Sequence, residues 1–394
     1  MPAKHTNCQI HKFGGASLAD LHAVKHAAAL IAERSGRRVI VASAMAGVTD
    51  ILLTGASRAS QGDAESLRVA AATIRDCHLA AAKAIVRDAA RRRALDAVII
   101  ESTNELEHLA NGLAALRELT PRISDHIVSR GERLSARLLV GALQQLGVKS
   151  EYVDATELVK VDDHFGGASP DFAATERATR DRLTRLLSRG VVPVVPGFIG
   201  ASTSGHVATL GRGGSDLTAT LLARALRAES ITLWKDVAGF LTADPRTVSD
   251  AQVIPQLTPR EAAELAYYGA KVLHPRALIP LADRNIPLRI RPFGEPDVAG
   301  TEISRRRTLR EYPVKAISSM GELALVTVTG SGMLGVPGIA ARTFAAMHRE
   351  QVSVSLISQA SSEHSICFSV PDASAERARR ALLEAFAEEI AHRD

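Results

Sequence analysis

Residues 9–17 have the sequence QIHKFGGAS, and residues 38–44 have the sequence RVIVASA. The first stretch predicts a strand that a glycine pair ends. The second predicts a buried strand, because its apolar residues run almost without alternation. Apolar residues between them recur at helical spacing, so we expect a helix that Ser17 caps and that runs to about Arg34. Alternating units of this kind predict an α/β fold with a mainly parallel sheet covered by helices.

The remaining chain has a helical middle and a C-terminal part with a different pattern. Residues 57–119 are rich in Ala, Leu, Arg and Glu and predict two or three helices, and a further helix is expected over 132–146. The C-terminal residues predict the order βαββα, which is typical of a ferredoxin-like α+β domain. We therefore expect a first domain over 1–295, a linker with Pro, Gly and an Arg run over 296–314, and a small domain over 315–394.

Composition and charge exclude several classes of protein. The residues are 46% hydrophobic and 23% charged, which is ordinary for a folded protein. A chain of 394 residues is too long for one compact core. A net charge of +5 raises the question of nucleic acid. The basic residues are spread along the chain, however, and aromatic residues make up only 4%, so no nucleic-acid partner is expected. A modest positive charge also suits an enzyme with anionic substrates.

The location expected from the sequence is the reducing cytoplasm. No apolar run approaches the roughly 18 residues that a membrane span needs, and the N-terminus has no secretory pattern. Cys8, Cys77 and Cys367 are too widely spaced for a disulfide framework or a zinc cluster. We expect no membrane association and no protein-held metal.

The KFGGAS stretch, residues 12–17, is the first candidate for chemistry. Two glycines between a strand and a helix let the backbone approach an anion, and Lys12 would add a positive charge for phosphate. For an isolated glycine pair, a simple turn with an exposed lysine is about as good an explanation. Neither of the two commonest nucleotide-binding glycine motifs is present.

A second candidate is GRGGSD, residues 211–216, before an amphipathic helix expected over 217–226. Arg212 can hold a carboxylate or phosphate with two hydrogen bonds. Asp216 falls in the first helical turn, where a negative charge is favoured and where it could equally cap the helix. A loop with an N-cap would explain the glycines and the aspartate but not the arginine.

Two further loops complete the set. WKDVAGFLTADPR, residues 234–246, follows a predicted strand, where ligand loops of parallel sheets lie, although alone it could be a charged turn. In YGAKVLHP, residues 268–275, Pro275 could open a helix. We interpret His274 as a structural turn residue, because no second histidine or carboxylate stands at ligand spacing.

Together these motifs resemble the amino-acid kinase family and, within it, the aspartate kinases. KFGGAS is similar to that family's KFGGTS opening, SAMAGVT at 43–49 to its SAxAGxT loop, and SRGERLSA at 129–136 to its S-x-GE-x-x-S element. The later motifs follow in the family's order, so the resemblance covers residues 9 to about 290. The C-terminal part resembles an ACT regulatory module. The implied fold is a three-layer αβα kinase domain with a mainly parallel sheet, followed by a small ferredoxin-like ACT domain.

The resemblance implies transfer of the γ-phosphoryl group of MgATP to the β-carboxylate of L-aspartate, which gives 4-phospho-L-aspartate, the first step of aspartate-family amino-acid biosynthesis. It implies two catalytic residues: Lys12, which neutralises the phosphoryl group, and Asp216, which orients that lysine. It further implies that Mg²⁺ is held mainly by the ATP phosphates. The implied residues are Ser43, Thr49, Glu132 (for the α-amino group) and Arg212 (for the α-carboxylate) on the aspartate side, and Lys12, Gly14, Gly15, Lys235, Asp236, Leu241, Arg246 and Lys271 on the ATP side.

Three departures from the family pattern leave alternatives open. Ala16 replaces the usual threonine, which would suit a weakened, amino-acid-binding regulator. The retained residues favour an active enzyme: Lys12, Glu132, Arg212 and Asp216. Lys235 stands where many members have Thr or Ser, which we interpret as a subtype difference.

Besides an active aspartate kinase and a regulator, a third possible function is a kinase for another acidic amino acid, since Glu132 and Arg212 would serve any α-amino acid.

The last departure concerns regulation, because the sequence contains one ACT module where aspartate kinases usually carry two. An effector site, for lysine or threonine, would then form between chains, or the module would serve only to pair subunits. Its candidate effector loops are 330–338 and 358–363. We expect a homodimer, because ferredoxin-like modules commonly pair edge to edge. The chain could also be the kinase part of a bifunctional polypeptide fused to homoserine dehydrogenase or diaminopimelate decarboxylase.

Overall fold

The computed structural model describes residues 8–270, 272–306, 314–333, 335–359 and 364–392. It divides into two compact units, Met1–Ser318 and Ser319–Asp394. Two large apolar clusters lie in the first unit and one smaller cluster in the second. Each unit therefore has a core of its own.

An eight-stranded sheet forms the centre of the first unit. All its neighbouring strands pair in parallel except β9 and β10, so the expected mainly parallel sheet is confirmed. The strand order is β3-β4-β2-β1-β7-β9-β10-β8, and β5 and β6 form a separate hairpin. The strands are β1 (Cys8–Phe13), β2 (Arg37–Ala42), β3 (Ser150–Tyr152), β4 (Val192–Pro196), β5 (Ile199–Ala201), β6 (Val207–Thr209), β7 (Ser230–Lys235), β8 (Gln256–Leu257), β9 (Leu288–Pro292) and β10 (Thr301–Ile303).

Helices cover both faces of this sheet. One apolar cluster joins one face to α1–α5, and the other joins the opposite face to α6–α9, which gives the expected three αβα layers. Alternate residues of β1 belong to different clusters, as the two-residue period of a strand requires. The helices are α1 (Leu21–Ala32), α2 (Val48–Ala59), α3 (Ala64–Ile85), α4 (Ala89–Leu116), α5 (Pro121–Gln145), α6 (Ala155–Leu158), α7 (Phe172–Ser188), α8 (Gly214–Leu226) and α9 (Pro259–Tyr267), with short 3₁₀ turns at Ala16–Leu18 and Pro275–Leu281.

Three local expectations were wrong. Ser17 does not cap α1, because its hydroxyl donates to the carbonyl of Trp234, and Asp20 caps the helix instead by accepting from the Ala23 N–H. Helix α5 begins at Pro121, eleven residues before the expected start, so Glu132 lies in its interior. Helix α8 lacks the exposed polar face of the expected amphipathic helix: nearly all of its residues are buried, since it packs against the sheet on one side and α7 on the other.

The second unit has the expected βαββα order. Its three-stranded antiparallel sheet has the order β11-β13-β12. The described part of the segment expected as a linker, 296–306, contains β10, which pairs with β9 and β8 in the first unit's sheet. The elements of the second unit are β11 (Leu323–Thr329), α10 (Ile339–Arg349), β12 (Leu356–Gln359), β13 (Ser365–Pro371), α11 (Ala375–Ala385) and α12 (Ala387–His392), with 3₁₀ turns at Ser331–Met333 and Asp372–Ser374.

Two general features of the chain concern its helices and its cysteines. Of the helices in the described ranges, none combines the length and apolar character that a bilayer span requires. Cys8, Cys77 and Cys367 are free thiols.

Candidate active site

Two lysines meet at the carboxyl ends of the two central strands. In the parallel pair β1 and β7, Phe13 lies opposite Trp234. Side chains alternate between the faces of a sheet, so Lys12 and Lys235, one position before and one after this pair, point to the same face. That face carries α8, whose first turn contains Asp216.

Asp216 forms an ion pair with each lysine. Its Oδ1 lies 2.7 Å from Lys12 Nζ, and its Oδ2 accepts a hydrogen bond of 2.7 Å from Lys235 Nζ. Burial by itself would raise the pKa of Asp216, but the two ammonium groups outweigh it and lower that pKa. Burial lowers the pKa of Lys12, and Asp216 opposes this effect. The cluster holds two positive charges against one negative charge, so it has a net charge suited to an anion.

The glycine pair keeps the space above this cluster open. A Cβ atom on Gly14 would lie 3.6 Å from Lys12 Nζ, and one on Gly15 would lie 3.4 Å from the carbonyl oxygen of Ala44. Any side chain at Gly14 would therefore extend from a point in contact with the ammonium group. Backbone N–H groups can approach an anion at such a place.

Glu132 is a second buried carboxylate near Lys12. It is 4% exposed, and its Oε2 has no hydrogen-bond partner in the described part of the protein. Burial raises the pKa of Glu132 to about 8, although the backbone N–H groups of Glu132 and Ala44 and the charge of Lys12 act in the opposite direction. Gly131 permits this close packing of α5, since a Cβ there would lie 2.8 Å from the Ala44 Cβ.

Ser43 and Thr49 lie at the two ends of the connection from β2 to α2. The Ser43 N–H donates to the carbonyl of Phe13, and the Ser43 carbonyl accepts from the hydroxyl of Ser135 on α5. Thr49 lies in the first turn of α2 and is half-buried. The loop is thereby tied to both β1 and α5.

Arg212 lies in the turn that leads into α8. Its flanking glycines have positive φ angles, 71° at Gly211 and 73° at Gly213, which favour glycine. A Cβ on Gly213 would lie 2.3 Å from the Cβ of His274. Arg212 is exposed and forms no ion pair with any described residue. The GRG pattern thus has a steric reason, and the guanidinium between the glycines is available to a ligand.

Asp125 and Arg276 hold this turn, and neither is among the residues that the sequence motifs predicted. Asp125 is 3% exposed and accepts from the Gly166 N–H at 2.8 Å and from the N–H and hydroxyl of Thr209 at 2.8 and 2.7 Å. Arg276 donates to the carbonyls of Leu210 and Ala168. Asp125 lies seven residues before Glu132 on α5, and such a spacing places both on one side of a helix. A buried acid at that spacing was the one available signal.

The remaining sequence candidates lie farther along the β7–α9 connection. Asp236 is exposed immediately after β7, and Leu241 is half-buried in a β-bridge with Val253. Arg246 is exposed and paired with Asp244 at 2.7 Å. Lys271 lies outside the described residues. His274 accepts from the Arg276 N–H at the start of the 3₁₀ turn, as expected of a structural turn residue, and Pro275 opens that turn.

Comparison with known proteins identifies the family to which this fold belongs. The model of the amino acid kinase family matches residues 7–292, and an ACT domain model matches residues 326–386. The chain therefore belongs to the amino acid kinase family.

The similar proteins within that family are aspartokinases. Lysine-sensitive aspartokinase 3 of Escherichia coli is 35% identical over 353 residues, which are 88% of this chain and 75% of that protein. A crystal structure of E. coli aspartokinase III with aspartate and ADP has a TM-score of 0.79 at 32% identity and covers 92% of this chain and 78% of that one.

Longer relatives match as well. The chloroplastic bifunctional aspartokinase/homoserine dehydrogenase 1 of Arabidopsis thaliana is 33% identical over 389 residues, which are 97% of this chain. The chain spans 42% of the length of that relative and 40% of a bifunctional relative from Zea mays.

Proposed function

We propose that this protein transfers the γ-phosphoryl group of ATP to the β-carboxylate of L-aspartate. The single observation that carries this proposal is the buried Lys12–Asp216–Lys235 cluster beneath the open Gly14 backbone, with the unpaired carboxylate of Glu132 nearby. The two ends of this site favour ligand groups of opposite charge. One suits phosphates, and the other suits an ammonium group.

On the phosphoryl side, Lys12 and Lys235 neutralise charge that spreads over the transferring oxygens. Asp216 keeps both ammonium groups in place. An oxygen of the aspartate β-carboxylate attacks the γ-phosphorus, the bond to the bridging oxygen breaks, and ADP leaves with its electron pair. No general base is needed, because the nucleophile is already ionised at neutral pH.

On the aspartate side, Glu132 binds the α-ammonium group and Arg212 the α-carboxylate, with Ser43 and Thr49 beside the β-carboxylate. Binding one zwitterion would give Glu132 the cation that it lacks and Arg212 a planar anion that fits its guanidinium. Because chain length separates aspartate from glutamate, we expect the fixed distance between these groups to decide specificity.

Mg²⁺ enters this proposal as part of MgATP. The one carboxylate of the phosphoryl cluster, Asp216, is occupied by two lysines, and no group of three candidate metal ligands occurs in the described ranges. These residues therefore fit a metal ion that the ATP phosphates hold, and the ion would neutralise the charge of those phosphates. Asp236, Leu241, Arg246 and Lys271 remain the proposed nucleotide residues.

The test is a steady-state assay with MgATP and L-aspartate in which hydroxylamine traps the acyl phosphate. We expect aspartate-dependent hydroxamate that is lost in Lys12→Ala and unchanged in Lys25→Ala, a control that removes an exposed lysine from α1. L-Glutamate in place of aspartate tests the side-chain length. Binding of aspartate without turnover in the wild type would instead support a regulator, and Ala16→Thr would then be the variant to examine.

The domain roles and partners are also proposals. We assign catalysis to residues 1–295 and regulation by lysine or threonine to the ACT unit within 315–394, with 296–314 between them. The structure of aspartokinase III in complex with lysine and aspartate belongs to a relative that covers 97% of this chain at 32% identity. We also propose a homodimer and a cytoplasmic location, the latter supported by the three free thiols. Equilibrium sedimentation with and without each amino acid tests dimerisation and effector binding together.

A further inference from the structure

The opposite face of the same two strands carries a cluster of positive charge. His11 and Trp234 precede Lys12 and Lys235 by one residue each, so their side chains point away from Asp216. Three arginines surround them: Arg34 after α1, Arg38 on β2 and Arg291 on β9. We call these five residues the arginine cluster.

The geometry of the arginine cluster is compact. The rings of His11 and Trp234 are stacked, with centroids 6.4 Å apart. The guanidinium carbons of Arg34 and Arg291 lie 5.1 and 5.7 Å from the centroid of Trp234. Arg38 pairs with Gln9 in the sheet, two residues from His11, and thus lies on the same face as His11.

The cluster contains several buried nitrogen atoms without partners and no paired acid. Both ring nitrogens of the fully buried His11, the Trp234 Nε1 and the Nε atoms of Arg34 and Arg38 have no hydrogen-bond partner in the described residues. None of the three arginines forms an ion pair with a described carboxylate. Their observed hydrogen bonds go to carbonyls, from Arg38 to Gly36 and from Arg291 to Val298.

Other charged groups do not neutralise this surface. Asp297 is the acid whose negative charge raises the pKa of Arg291, and its side chain is exposed. Arg289, which also acts on Arg291, is already paired with Glu302. Burial, followed by the charges of the three arginines, lowers the pKa of His11 to about 3, so its ring is neutral at physiological pH. Three half-buried guanidinium groups therefore lie around His11 without an anion from the described chain.

We infer that the arginine cluster is a second binding site, specific for a small oxyanion such as a phosphate or carboxylate group. Guanidinium groups, an indole N–H and a neutral imidazole can all donate to such an anion, and its charge relieves the repulsion among the arginines. Partial burial favours a small ligand over a macromolecule. Because His11 and Trp234 adjoin Lys12 and Lys235, an anion held there would act on the phosphoryl cluster through the backbone of β1 and β7.

Fluorescence provides a direct test, because Trp234 is the single tryptophan of the chain. The full chain is titrated with inorganic phosphate, sulfate or acetate at constant ionic strength. We expect a saturable change in Trp234 emission, weakened at least about tenfold in the double variant R34Q/R291Q. The matched control is R177Q/R185Q, which removes the same charge from exposed positions of α7 and should bind as the wild type does.

Two further variants distinguish anion binding at the arginine cluster from binding at the phosphoryl cluster and from a loss of folded structure. The change in Trp234 emission should persist in Lys12→Ala. If the anion bound at the phosphoryl cluster instead, removing Lys12 would abolish that change. In R34K/R291K the charge remains and the fork-shaped donor is lost, so we expect intermediate affinity. The order of phosphate, sulfate and acetate distinguishes a phosphate-type from a carboxylate-type site. No saturable change with any of the three anions, or equal binding by R34Q/R291Q, would overturn the inference.

Discussion

Asp216 and Glu132 are both buried acids near Lys12, and their electrical states differ. Each is 4% exposed. Asp216 has two lysine partners and a lowered pKa, whereas Glu132 has an unpaired oxygen and a pKa raised to about 8. Burial is thus common to both, and the partners decide the charge. Asp216 is complete within the protein, while Glu132 is suited to a cation from outside.

The largest effect should come from removing the carboxylate of Asp216, which pairs with both lysines. Asp216→Asn leaves two buried ammonium groups without a counter-charge, so we expect kcat to fall by roughly a hundred- to a thousandfold. The free energy of unfolding should fall by about 3 kcal/mol or more. Steady-state kinetics and urea unfolding measure the two effects. Asp154→Asn, which breaks the ion pair with Arg133 and keeps an oxygen that can cap α6, is the matched control and should lower stability but not kcat.

The incomplete carboxylate should behave in the opposite way. Glu132→Gln resembles the protonated acid that the raised pKa favours in the free protein, so the unfolding temperature at pH 7 should change by no more than about 2 °C. The KM for aspartate should rise by roughly ten- to a hundredfold, since a hydrogen bond to a charged group is lost. The KM for ATP should not change. A marked loss of stability without a change in either KM would show that Glu132 is structural.

The pKa of Glu132 also predicts two pH dependences. Binding of an ammonium group needs the ionised carboxylate, so the apparent KM for aspartate should rise as pH falls below about 8, approaching tenfold per pH unit. Stability should increase as pH falls, so stability and the affinity for aspartate respond to pH in opposite ways. Between pH 4.5 and 8 the folded protein binds more protons at this site than the unfolded chain, so its stability decreases as pH rises. Both slopes should be smaller in Glu132→Gln, and equal slopes in the two proteins would refute the assignment.

The smallest effect should come from a residue that acts through others. Asp125→Asn weakens the three hydrogen bonds that hold Thr209 and Gly166, near the turn of Arg212. We expect the KM for aspartate to rise by about three- to tenfold, with kcat and the KM for ATP nearly constant. Substrate kinetics in parallel with thermal unfolding are the measurement. If the unfolding temperature falls and all kinetic constants stay the same, Asp125 has no positioning role.

Much of the fold could be predicted because its signals are local. The apolar run of β2, the glycines after β1 and the βαββα pattern of the second unit depend on neighbouring residues, and the structure contains all three. The errors occurred where a distant contact decided the outcome. Ser17 is a good capping residue, but its hydroxyl donates to the Trp234 carbonyl, and the polar residues of α8 are buried because the fold covers nearly every side of that helix.

By itself, the sequence determined the residue types of the site: a lysine and two glycines after a strand, an arginine between glycines, and an acid in a first helical turn. Only the tertiary structure decided which of them meet. It brought Lys235 against Asp216 on the face that also carries Lys12, and it left one oxygen of Glu132 without a hydrogen-bond partner among the described residues. It also placed Asp125 and Arg276 behind the arginine turn and gathered three arginines around His11. The physical reason is that charge states and pairings depend on distances across the sheet, whereas strands, turns and helices depend mainly on residues close in the chain.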